Sequence, residues 1–115
     1  MQRDDTVYIR HILDAARKAI SFAQDRTRKD LDTDEMLAFS LIHLLEVVGE
    51  AANCVSVDFR DKNPYIPWKK MIGMRNRLIH GYFDINLDIV WDTVVEDLPP
   101  LVADLEKTDP SEETP

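Results

Sequence analysis

Cysteine is nearly missing from these 115 residues: Cys54 stands alone. Neither a disulfide framework nor a cysteine-built zinc centre can be assembled from one chain, and Cys54 reads as a small buried apolar residue. Glycine is also scarce, at three residues, and there is no glycine-rich phosphate loop, nucleophile elbow or zinc-ligand spacing. No internal repeat and no strand-like alternation is evident. No apolar run approaches the roughly 20 residues that span a bilayer, and no signal peptide opens the chain, so the expected compartment is the cytoplasm.

What remains is an ordinary globular composition, 44% hydrophobic and 31% charged, in a length that suits one domain. A chain this short buries only about 65% of its unfolded surface, so burial across a subunit interface would help it. The net charge of −8 opposes simple electrostatic attraction to nucleic acid. Its distribution is uneven. Between Arg60 and His80 lie six basic residues (Arg60, Lys62, Lys69, Lys70, Arg75, Arg77) against Asp61, a local +5 that leaves −13 for the rest. That cluster is either a solvated face or an anion-binding surface.

The periodicity predicts helices throughout. Asp4 or Thr6 is positioned to cap a first helix reaching about Asp25, with Ile9, Ile12, Leu13, Ala16, Ala19, Ile20 and Ala23 as its apolar stripe. Arg26–Asp32 reads as a connector. Asp32 or Thr33 then caps a long second helix ending near Val57, where Gly49 and the alanines would let another helix approach closely. Phe59–Tyr65 reads as a turn, and Pro67 as the first residue of a third helix ending near Ile79. Asn86 or Asp84 would cap a fourth, which Pro99-Pro100 should kink or interrupt. The expected architecture is an all-α up-and-down bundle of four or five helices over residues 1–106, followed by an acidic, disordered tail, 107–115.

The chemistry is concentrated in Met74-Arg75-Asn76-Arg77-Leu78-Ile79-His80-Gly81-Tyr82-Phe83. Arg75 and His80 are five positions apart, which an unbroken helix sets about 140° apart around its axis and roughly 7.5 Å along it. They converge poorly unless the helix ends between or just after them. Gly81 supplies that ending if it takes the left-handed conformation that closes helices. A protonatable imidazole beside a permanent cation suits phosphate chemistry. Asn76 could orient a phosphate or His80, or cap the turn, while Arg77 could hold a phosphate or form a surface ion pair. His43, Glu46 and Glu50 share one face of the second helix, but no second Glu-x-x-His set accompanies them, so no metal or other cofactor is expected. Glu50 could instead reach Arg75 or Arg77. His11 reads as solvated, and Trp68 and Trp91 as core or interface anchors.

The spacing Arg75-x4-His80-x-Tyr82, with Asn76 after the arginine, resembles the signature of the HEPN superfamily. More narrowly it is similar to the HepT toxins, which are paired with a minimal nucleotidyltransferase antitoxin. Val48-Gly49-Glu50-Ala51-Ala52, Ile66–Gly73, Leu87–Trp91 and Asp97–Leu101 extend the likeness, which covers roughly Val7 to Leu105. The resemblance implies a HEPN-like bundle and a two-fold dimer whose paired motifs form one composite site. It also implies a metal-independent endoribonuclease, the toxin of a type VII-like toxin–antitoxin system. Arg75 and His80 would be its catalytic residues, Asn76 and Arg77 supporting or RNA-contacting ones, and Tyr82 the acceptor of AMP groups from the antitoxin. Two other readings stay open: a non-catalytic module that docks or recruits a nucleotidyltransferase, and a helical dimer with a scaffolding role.

Overall fold

Residues 3–81 and 84–108 are described by a computed structural model. The segments are α1 (Arg3–Ala23), α2 (Asp30–Thr33), α3 (Glu35–Cys54), α4 (Val57–Lys62), α5 (Trp68–His80), α6 (Leu87–Asp92), a π-helical turn (Thr93–Asp97) and α7 (Leu98–Thr108). No strand occurs among the described residues. Four long rods (α1, α3, α5 and the continuous run 87–108) make the all-α bundle that the periodicity predicts, of the kind the HEPN resemblance implies.

Helix α3 is the central element. It packs against α1 on one side and α5 on the other, and α7 closes against α1. By length and composition α3 could cross a membrane, contrary to the expectation that no apolar run reaches that size. Its apolar residues instead form the core: Leu37, Leu41, Leu45, Val48 and Ala52 are buried against Ile9, Ile12, Leu13 and Ala16 of α1 and Met71 and Leu78 of α5.

The helix boundaries correct several expectations. Helix α1 begins before Asp4, so Asp4 and Asp5 lie in its first turn rather than at its cap. Asp5 is buried and accepts from Ser56 N (2.8 Å) and Ser56 Oγ (2.7 Å), while Ser56 Oγ caps α4 by accepting from Phe59 N at 3.1 Å. This cap is why residues 57–62 are helical rather than a turn. It also ends the second helix early, at Cys54. Helix α3 is capped by Asp34, not Asp32 or Thr33, through acceptance from Leu37 N. The connector is tied down by charge: Arg26 donates to Asp34 at 2.8 Å and to Asp30 at 3.3 Å, and Arg28 donates to Asp32 at 3.0 Å and Asp88 at 2.6 Å. Asn86 caps α6 as expected.

Pro99-Pro100 lie within the last rod, and its α-helix is interrupted just before them, as expected. The turn before them widens to π geometry, with Leu98 N–H donating to Thr93 O, and both prolines lie on the exposed side. There, carbonyls that lose their proline partners can be hydrated instead of orphaned. Lys107 and Thr108 belong to α7, and residues 109–115, the rest of the expected tail, lie outside the described residues.

Hydrogen bonds from Thr27 N–H and Arg26 hold the Asp30 carboxyl below the usual carboxylate range, and those from Arg26 and Leu37 N–H do the same for Asp34. A depressed folded-state pKa contributes stability that is complete above the unfolded value, about 3.9, and is lost as pH falls through the folded value. Thermal melts should therefore hold level down to about pH 4–5 and fall below it. Asp34→Ala should lower the neutral melting temperature and flatten that acid limb.

Candidate active site at the end of helix α5

The site begins with a close approach. Gly49 is buried on α3 where α5 crosses it. A Cβ there would overlap the Arg75 Cβ and stand 2.7 Å from Met71 O. The missing side chain brings the Arg75 stem against α3, and Glu50, the next residue, reaches its head: Arg75 Nη2 to Glu50 Oε2 is 2.7 Å. Of the two arginines Glu50 could have met, it takes Arg75. The other terminal nitrogen, Nη1, donates to Asn76 Oδ1 at 2.9 Å. Asn76 thus steadies Arg75 rather than capping a turn. Arg75 Nε is shielded from solvent with no acceptor, so the guanidinium is only partly satisfied.

Helix α5 stays unbroken through His80, which is exposed at its last position. Gly81 closes the helix without left-handed geometry, at φ −100° and ψ 33°. Its N–H donates to Arg77 O (2.8 Å) and Asp84 N–H returns to Gly81 O (2.9 Å). Glycine is required there for space, because a Cβ would lie 2.8 Å from Arg77 O. Arg77 is exposed. Because the helix continues through both residues, Arg75 and His80 of one chain point about 140° apart. Tyr82 lies outside the described residues.

Arg75 looks into an open groove of about 300 Å³ between α1, α3 and α5, lined among others by Tyr8, His11, His43, Glu46, Glu50, Cys54 and Ile79. Cys54 is exposed there, not buried as its residue type suggested, because α3 ends at that residue and turns it outward. His11 meets the Tyr8 ring edge-on, centroids 6.2 Å apart. The His43-Glu46-Glu50 face was legible in the sequence. That Tyr8 and His11 stand opposite it was not, since nothing local fixes the rotation of α1 against α3. Among the described residues no three His, Cys, Asp or Glu side chains are grouped as metal ligands would be. Trp68 is buried, donating to Asn63 O at 3.0 Å and packing edge-on to Phe59.

The all-α bundle agrees with the HEPN-like helical class that the resemblance implies. The model of the family "Ribonuclease HepT-like" matches residues 12–108, and the chain belongs to that family. It is 37% identical to a Methanocaldococcus jannaschii protein named "Putative RNase MJ1380", over 91% of this chain and 96% of the relative. It is 36% identical to the Thermococcus cleftensis protein named "Probable ribonuclease HepT", over 93% of this chain and 97% of that one. No solved structure matches.

Gly49→Ala tests the crossing. The added methyl must push α5 away from α3, which should cost about 1–3 kcal/mol. In a domain of this size that is a melting-temperature loss of roughly 4–8 °C per kcal/mol.

Proposed function

We propose that the protein is a metal-independent endoribonuclease whose site is completed by a second copy of the chain. Strand cleavage without a metal needs a base for the 2′-hydroxyl, an acid for the leaving 5′-oxygen and a cation for the crowded phosphate. Arg75 supplies the cation. His80 of one copy removes the 2′-proton and His80 of the other protonates the leaving oxygen, giving a 2′,3′-cyclic phosphate and a free 5′-hydroxyl. The observation that carries this reading is the unbroken α5 in a ribonuclease family: with Arg75 and His80 turned apart on one chain, two-fold pairing is the simple way to set both kinds of residue around one phosphate. The exposed side of α3 supports the pairing. Met36 and Phe39 lie on it at 81% and 60% exposure, continuing toward His43 and Glu50, and Ile79 of α5 is 41% exposed beside them.

Glu50 is a positioning residue in this scheme, holding Arg75 in one rotamer, and Asn76 helps from the other side. The toxin role and its control follow the same chemistry. AMP groups placed on Tyr82 by a nucleotidyltransferase partner would bring anionic phosphate beside the site, occluding it and competing for Arg75.

The test is RNA cleavage by the purified protein in excess EDTA. Wild type should leave 2′,3′-cyclic phosphates, and His80→Ala should lower the rate by at least about 100-fold. Equal rates in the two proteins, or cleavage by wild type only when divalent metal is restored, would overturn the proposal. Glu50→Gln should reduce kcat by roughly tenfold with little change in KM, as expected for an interaction realised in the transition state. Its effect on melting should be small, since a half-exposed ion pair contributes at most about 1 kcal/mol.

A further inference from the structure

Three of the six basic residues of the sequence cluster are gathered at the opposite end of α5 from His80. Arg60 of α4 and Lys69 and Lys70 of the first turn of α5 line a wide, open hollow together with Pro64, Trp68 and Asp61. Arg60 makes no ion pair among the described residues, and its Nε is shielded from solvent without an acceptor. Lys69 is likewise unpaired among them and exposed, whereas Lys70 meets Asp97 at 2.9 Å. Tyr65, next to the hollow in the chain, is 57% exposed, and its hydroxyl makes only a long 3.4 Å contact to Asn63.

The hollow is connected to the catalytic end by helical geometry. Lys69 and His80 are eleven positions apart, which is about 20° around the axis and roughly 16 Å along it. They lie on the same face of α5. Between them on that face come Gly73 and Asn76, and the space a Gly73 side chain would fill is open, with nothing within 4 Å. The face therefore offers cations at one end, bare backbone in the middle and the exposed imidazole at the other.

We infer that this face of α5 is a track for single-stranded RNA, which loads its phosphates at Arg60, Lys69 and Lys70 and passes over Gly73 and Asn76 to His80. This rests on the ribonuclease reading and adds to it where the substrate enters and how an acidic protein holds it. Single-strand binders combine cations that follow the backbone with exposed aromatic rings on which bases stack. Arg60, Lys69 and Tyr65 supply both, and Gly73 lets the backbone come close to the helix. In a chain of −8, two cations without an acidic partner beside an open hollow make this a surface that a polyanion would choose.

The experiment is fluorescence anisotropy of a labelled single-stranded oligonucleotide, 2′-O-methylated so that it cannot be cleaved, with the full chain at about 50 and about 200 mM salt. Lys69→Ala and Arg60→Gln should each bind at least about fivefold more weakly, with the salt slope reduced by about 0.7 per cation removed. Lys69→Arg should restore binding. Gly73→Glu should weaken it as strongly while leaving the melting temperature no lower than wild type's. Lys18→Ala, on another helix, should bind as wild type does. Unchanged affinity in Lys69→Ala and Gly73→Glu would overturn the track, even if wild type cleaves RNA through His80. Loss of affinity for an acidic partner protein with none for RNA would also overturn it, in favour of a docking surface. Binding through the hollow by a protein that cleaves nothing would instead leave the track standing and remove the ribonuclease reading.

Discussion

Helix α5 lies against α3 more closely than side chains ordinarily permit, and the permission comes from Gly49. Any Cβ there would collide with Arg75 and the Met71 carbonyl. The contact sets the depth of the Arg75 stem, and Glu50 can reach its guanidinium only because of that depth. A local packing constraint thus becomes an electrostatic one. The arginine is held by its neighbours on α3 and α5 and yet keeps one nitrogen out of solvent without an acceptor.

The rest of the bundle keeps that crossing in place. Helix α1 covers the opposite side of α3 and α7 covers α1, so α3 is gripped on two faces. Asp5 ties the start of α1 to Ser56, which in turn caps α4. The same short helix carries Arg60 to the start of α5. The polar links therefore serve the ends of α5 as the apolar core serves its middle. The two ends differ in chemistry: cations and an exposed tyrosine ring at the start, an imidazole at the close. A helix of this length offers one face to both.

Much of the architecture was legible in the residues. The apolar stripes of α1 and α3, the Asn86 cap and the closeness allowed by Gly49 follow from side-chain size and short-range hydrogen bonding. The turn expected at Phe59–Tyr65 is helical as far as Lys62 because Ser56 caps residues 57–62, its hydroxyl accepting from Phe59 N. The interruption expected at Pro99-Pro100 is a π turn just before them, and both prolines fall on the exposed side, where unpaired carbonyls meet water. Gly81 serves for space rather than for handedness, a distinction that depends on where Arg77 O happens to lie. Cys54 is exposed because α3 ends there, and residue type alone could not say so.

The sequence by itself determined the helical periods, the uneven charge, and the placement of Arg75 and His80 on one stretch before a glycine. These are consequences of spacing along the chain and of bonds between near neighbours. Only the tertiary structure decided that Glu50 grips Arg75 rather than Arg77, that Tyr8 and His11 face His43 across a groove, and that Arg60 joins Lys69 at one hollow. Each of those depends on how one helix is rotated about its own axis against another, and that rotation is set by the packing of all the buried side chains together.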